Sequence, residues 1–217
     1  RQINGTTTTG YGYSEPGLPI TKSLFDDKNS TISEENIQNI LDGSYSLPNN
    51  LRVSIVKLQS TQNQRRYYWS DETYLKSQQA YLDLFSNIFK QSNRINTVSV
   101  IPDLLVSSNP TFTSIRESAV RMQSDIVVIY SITSDIYSKY KLFSKSDIKA
   151  FATTQLIVLD VRTGLIPFST IVTKDFQSKK QDSEVNENEA VNRIKDKAVL
   201  LTIEEIGKKL KNFLENQ

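Results

Sequence analysis

Asp125-Ile126-Val127-Val128-Ile129-Tyr130-Ser131-Ile132-Thr133-Ser134-Asp135-Ile136 decides the fold. Its first half is an unbroken branched run of the kind found in a strand buried on both faces, and its second half alternates as a half-solvated strand does. One strand is therefore expected to start inside the core and leave it near Ile136.

The elements around this strand can be read outward from it. Upstream, Thr113 is placed to cap a short helix running to about Gln123, with Ile115, Ala119 and Met122 facing inward. Val98 to Val106, interrupted by Pro102, reads as a strand near an edge or carrying a bulge. Before it, Tyr74, Tyr81, Leu82, Phe85, Ile88 and Phe89 recur at helical spacing in a helix beginning near Ser70. Leu51 to Leu58 alternates and is rich in branched residues, so it reads as the first strand. Downstream, Lys149 to Val161 and Ile166 to Phe176 read as two strands joined by Arg162-Thr163-Gly164-Leu165, where Gly164 supplies a positive φ. A terminal helix follows the polar stretch 177–188, with Val191, Ile194, Ala198, Leu201, Ile206, Leu210 and Phe213 expected on its inner face.

The order is β-α-β-α-β-β-β-α, an α/β (α+β) domain with a mixed sheet of about five strands and helices packed on it. It is assigned to residues 49–217. Residues 31–48 are expected to hold a short helix, with Thr31 and Glu34 at capping-box spacing, Ile37, Ile40 and Leu41 on one face and Gly43 at its end. This helix is expected to dock on the domain. Residues 1–30 are rich in Thr, Ser and Gly with few large apolar side chains, and read as a flexible arm or linker.

Composition narrows the chemistry. The chain of 217 residues has no histidine and no cysteine, which removes the commonest neutral-pH base, the thiolate nucleophile and the tight metal ligands. Beyond Leu51 the only glycines are Gly164 and Gly207, too few for a phosphate-cradling loop. A net charge of +2 gives no electrostatic reason to expect nucleic acid or an anionic membrane as partner. No cofactor, no metal and no catalytic residue is assigned. What remains for catalysis is carboxylates such as Asp103, Glu117 and Asp135, whose spacing does not suggest a convergent pair.

Arg65-Arg66-Tyr67-Tyr68-Trp69 joins two guanidinium groups to three amphipathic rings, including the only tryptophan. That composition dominates interface hot spots and also stacks on sugars, so these five residues are the candidate partner-binding segment. A second cluster, Tyr130, Tyr137, Tyr140 and Phe143, has a simpler account as packing, with Lys139, Lys141 and Lys145 blunting a sheet edge. Asp160, Arg162, Thr163 and Gly164 are assigned to a structural turn, the Asp and Thr side chains accepting backbone N–H groups. Asp125, beginning a strand after a helix, is read the same way.

Ala119-Val120-Arg121-Met122-Gln123-Ser124-Asp125-Ile126-Val127-Val128-Ile129, followed by Gln155-Leu156-Ile157-Val158-Leu159-Asp160-Val161-Arg162-Thr163-Gly164, resembles the superfamily of curli secretion lipoproteins (CsgG-like), the TolB amino-terminal domain and the penicillin-binding-protein activator LpoB. The resemblance covers roughly residues 50–215 and rests on an A-x(5)-D strand start and a strand ending in D-x-x-T-G. It implies a lipid-anchored envelope protein of Gram-negative bacteria that binds other proteins without catalysis. Ser124 departs from the small apolar residue usual there, and no segment matches the membrane-inserting elements of the curli channel, so pore formation is not implied.

The expectation is thus a non-enzymatic extracytoplasmic lipoprotein of the periplasm or outer membrane, docking on an envelope protein. Arg1 is not preceded by an initiator Met, which suggests a removed secretory leader, and the absence of Cys suits an oxidising compartment. Membrane contact is expected only through an amino-terminal anchor outside this sequence. The alternative is a carboxylate-based hydrolase or a small-ligand or glycan-binding protein of the envelope.

Overall fold

The computed structural model describes residues 32–58, 72–106, 110–139 and 147–216. Among them the order is α1 (Glu34–Asp42), β1 (Leu51–Lys57), α2 (Glu72–Lys90), β2 (Ile95–Val100), a 3-10 turn (Asp103–Leu105), α3 (Phe112–Arg121), β3 (Ile126–Lys139), β4 (Asp147–Asp160), β5 (Phe168–Lys179) and α4 (Glu187–Glu215). The strands form one mixed sheet in the order β2-β1-β3-β4-β5. β1 pairs in parallel with β2 and with β3, whereas β3, β4 and β5 form an antiparallel meander. The α/β (α+β) class and the β-α-β-α-β-β-β-α order expected from the sequence are those observed.

Alternation along β3 divides the core in two. Ile126, Val128 and Tyr130 face α2 and α4, packing on Phe85, Phe89, Ile194, Ile203 and Ile206. Val127 and Ile129 face the other way, onto Ile115 and Ala119 of α3. Because both faces are covered, the run from Ile126 to Tyr130 is buried throughout, and each such large apolar side chain contributes roughly 1.5–3 kcal/mol. Past Ser131 only the α4 face stays covered, so Ile132 is buried while Tyr137 is mostly exposed.

Several boundaries differ from the expected ones. The cap of α1 is Ser33, whose side chain accepts from the amide of Asn36, not Thr31. No residue of α1 is buried. The segment docks through Leu47 instead, with Tyr45 packed beside it. β2 spans Ile95–Val100 and ends before Pro102, which leads into the 3-10 turn, so Asp103 to Val106 are not strand. It is an edge strand. The cap of α3 is Thr111 in place of Thr113, because Ser114 completes a capping box with it. Along α4, Val199, Thr202, Ile203 and Leu214 are buried, while Val191, Leu201 and Phe213 are only partly covered.

Two clusters of hydroxyls in the core are matched internally. Thr154 of β4 meets Thr202 of α4 hydroxyl to hydroxyl at 2.6 Å. Ser54 of β1 bonds Ser99 at 3.1 Å and also the hydroxyl of Ser124. The departure at Ser124 is therefore paired: a hydroxyl there is satisfied by a serine in the neighbouring parallel strand.

Candidate functional site

Two polar centres lie at opposite ends of the parallel strands. At the amino end, Asp125 stands between α3 and β3 where Arg52 of β1 reaches across. Its carboxylate accepts the Arg52 backbone amide at 2.9 Å, the Arg52 Nε at 3.0 Å and Nη2 at 2.9 Å, and the Arg162 Nη2 at 2.7 Å. Backbone bonds run alongside, Asp125 donating to the Arg52 carbonyl and Val161 donating to the Asp125 carbonyl. The Arg52 hydrogen bond is the main reason the Asp125 carboxyl is held down at about 2, against the opposing effect of burial. The same bond raises Arg52. Four donors occupy a carboxylate with roughly four lone-pair sites, which leaves it no capacity to take a substrate proton.

Asp160 ends β4 beside this pair. Its Oδ1 accepts the Thr163 amide at 2.7 Å and the Thr163 hydroxyl at 2.9 Å, and its Oδ2 accepts the Tyr45 hydroxyl at 2.9 Å. Gly164 donates to the Asp160 carbonyl at 2.9 Å with φ of 74°. Burial, and then Asp160, push the Tyr45 phenol well above its ordinary value. Arg116 of α3 donates to the carbonyls of Val161 and Arg162. The residues of the two sequence motifs thus meet in one network that ties α3, β1, β3, the β4–β5 turn and the incoming segment together.

The other centre is a cavity of about 90 Å³ at the carboxyl end of β1. β1 contributes Lys57, α2 contributes Tyr74, Ser77, Gln78 and Tyr81, β3 contributes Ile132 and α4 contributes Asp196 and Val199. Lys57 has the parity of Leu51, Val53 and Ile55, so the strand points it inward, over the Tyr74 ring at 5.6 Å from the centroid. Burial lowers its amine to about 8, although Asp103 acts the other way. Asp196 accepts from Tyr81 at 2.5 Å and from Ser77 at 2.7 Å. The Tyr81 phenol is pushed far up, first by burial and then by Asp196. Among the described residues, the buried Gln78 Oε1 and Tyr130 hydroxyl have no hydrogen-bond partner.

The cavity lies where the strand order reverses. From β1 the chain steps to β2 on one side and then to β3 on the other, with α2 and α3 on opposite faces, and such switch points open a crevice at the carboxyl ends of strands. Nothing in local composition singles out Lys57, Gln78 and Asp196. The one available signal is a lysine at an inward parity in an otherwise buried strand.

The connection after β2 leaves apolar side chains in solvent: Leu104 is 94% exposed, and Val100, Leu105 and Phe112 are also exposed. The Ser118 hydroxyl donates to the Leu105 carbonyl at 2.7 Å, holding this turn against α3. The partner-binding candidates Arg65, Arg66, Tyr67, Tyr68 and Trp69 lie outside the described residues, in the segment that leaves β1 after Leu58 and enters α2 at Glu72. Tyr140 and Phe143 also lie outside them, whereas Tyr130 is a core residue. Among the described residues no group of three or more acidic side chains could hold a metal ion, and no helix is long and apolar enough to cross a membrane.

No protein-family model matches the chain, and no curated protein matches it in sequence. Solved structures with a similar course of the chain include a hypothetical protein from Chlamydia trachomatis, 12% identical, covering 77% of this chain and 99% of that one with a TM-score of 0.48. A protein from Helicobacter pylori described as a homolog of a neuraminyllactose-binding hemagglutinin is 12% identical and covers 95% of each chain, with a TM-score of 0.46. A lipoprotein from Neisseria meningitidis is 12% identical, covering 77% of this chain and 100% of that one, with a TM-score of 0.37. Likenesses this remote carry no argument about what the chain does.

Proposed function

We propose that this chain is a non-catalytic, extracytoplasmic lipoprotein of the bacterial envelope, at the periplasm or outer membrane, whose α/β domain docks on another envelope protein. The observation that carries the reading is the apolar surface after β2. Leu104 and Leu105 stand in solvent on a turn tied to α3, and Val100 at the end of β2 and Phe112 at the start of α3 are exposed as well. Exposed apolar side chains gathered on one connection mark a contact surface more often than a free one. The aromatic and basic segment 65–69 follows β1 in the sequence, and its composition is that of an interface anchor. The saturated acceptors of Asp125 and the lack of His and Cys in the sequence support contact as the protein's work.

Site-specific photo-crosslinking tests it. A photoreactive residue at position 104 of the full-length protein in cells should give one dominant adduct, lost with Phe112→Glu and weakened by the Arg66→Ala, Trp69→Ala double change. Absence of an adduct overturns the docking surface. Metabolic labelling of the full-length gene product with palmitate tests the anchor separately, and an unlabelled product overturns it.

A further inference from the structure

The cavity between β1, α2, β3 and α4 has an unusual charge arrangement. Lys57 supplies a donor on one wall and Asp196 an acceptor on another, with the Gln78 carboxamide between helices. An anion entering would meet the carboxylate of Asp196, and a cation would meet the amine of Lys57 within and that of Lys195 at the rim. A neutral group carrying both an acceptor and a donor suits both walls. An amide is such a group, and it pairs with the Gln78 carboxamide whichever way that side chain is turned.

Size and closure narrow the amide further. About 90 Å³ is several times the roughly 10–15 Å³ that one water needs, yet too small for a whole sugar ring or a run of peptide. The floor is made by buried Tyr81, Ile132 and Val199, and the rim by exposed Thr73 and Asn192. An apolar floor beneath a polar rim suits a terminal group, whose methyl end goes in first. A backbone amide would bring chain in on both sides, which a volume of about 90 Å³ does not hold. The rim carries the polar side chains of Thr73, Ser134, Asn192 and Lys195, which suit the hydroxyls of a sugar left outside.

We propose that this cavity binds the acetamido group of an N-acetylated amino sugar, the carbonyl towards Lys57, the N–H towards Asp196 or Gln78, and the methyl towards Ile132 and Val199. The site uses none of the apolar side chains exposed after β2, and its test is separate from that of the docking surface.

Titration of the labelled full chain with N-acetylglucosamine, followed by NMR, is the test. Amide and side-chain shifts are expected at Lys57, Tyr74, Gln78 and Ile132, with glucose and glucosamine binding at least tenfold more weakly. Lys57→Met and Gln78→Met should each weaken binding at least tenfold while circular dichroism stays unchanged. No shift at these residues with the unmodified chain overturns the proposal without any variant. Equal binding of glucose overturns the acetamido assignment, and tighter binding of N-acetyl-lysine than of the sugar overturns the glycan assignment. Because photo-crosslinking at position 104 reads the other surface, failure here and failure of the docking reading are distinguishable.

Discussion

Arg52 holds Asp125 with its backbone amide and its guanidinium together, three contacts of 2.9 to 3.0 Å across the starts of two parallel strands. The pair sets the register in which Val53 lies beside Ile126. Since Arg162 also bonds Asp125, the β4–β5 turn is fixed to the same point. The network is structural in its chemistry, because every acceptor position on Asp125 is already taken by a cation or an amide.

Removing the Asp125 carboxylate should be costly. Its side chain is only 7% exposed, while Arg52 and Arg162 are about half exposed and water can take them up, so Asp125→Ala is expected to cost about 1–3 kcal/mol through its lost hydrogen bonds. Asp125→Asn keeps one acceptor and should cost less. The folded-state carboxyl is depressed from its ordinary 3.8 to about 2, so its contribution is fully present above 3.8 and is lost as pH falls through about 2. Urea unfolding at stepped acid pH should show that loss in the native protein and a flatter profile in Asp125→Asn. Identical profiles would show that the pair does not stabilise the fold.

The β4–β5 turn makes a conformational prediction. Gly164 sits at φ 74°, a region L side chains enter at a cost of roughly 1–2 kcal/mol. Gly164→Ala should lose about that much in thermal or denaturant unfolding, and Gly164→Asn less, because asparagine tolerates the left-handed region. Tyr45→Phe, which removes the 2.9 Å bond to Asp160, should cost about 1 kcal/mol. If both changes proved neutral, the turn would not be the lock its bonds suggest.

Much of this architecture was legible because it is written in short-range pattern. The branched run from Ile126 to Ile129 reads as a two-faced strand, and Gly164 marks the β4–β5 hairpin without any knowledge of partners. Boundaries failed where two residues offer the same chemistry. Thr111 and Thr113 both stand within four residues of the inward-facing Ile115, and only Ser114, standing three after Thr111, decides between them. The inner face of α4 drifted because a helix of 29 residues wraps two strands and buries a wider stripe than one row of side chains. The Asp125 carboxylate reads as a turn acceptor from its position, but Arg52 lies 73 residues away and nothing local pairs them. The cavity was invisible for the same reason: Lys57, Gln78 and Asp196 come from three elements that only the sheet topology brings together.

Helix packing offers a coupled test. A Cβ added at Gly207 of α4 would stand 2.8 Å from Ile88 Cδ1 and 3.2 Å from its Cγ1, on α2. Alanine gains about 1 kcal/mol over glycine inside a helix, while the end of the Ile88 side chain must turn aside. Gly207→Ala alone is therefore expected to change stability by less than about 1 kcal/mol. In an Ile88→Val background, which removes the offending methyl, the same change should stabilise by about 1 kcal/mol. Strict additivity in a double-mutant cycle would mean that the two side chains do not meet.

Lys57 makes a pH prediction of the same sign as Asp125, but in the alkaline range. Burial pulls its amine from 10.5 to about 8, so between these values the unfolded chain holds a proton that the folded chain has released. Stability should therefore rise with pH across that window, the reverse of a lysine that gains an acid partner on folding. Below about 8 both states are charged, and the folded state carries the cost of a half-buried ammonium that the Tyr74 ring, 5.6 Å away, offsets only in part. Lys57→Met keeps the length and removes the charge, so it should raise the melting temperature at neutral pH by a few degrees and abolish the alkaline rise. Thermal unfolding of both proteins at stepped pH reads the two effects together. A rise of equal size in Lys57→Met would assign the titration to another group and leave Lys57 an ordinary surface lysine.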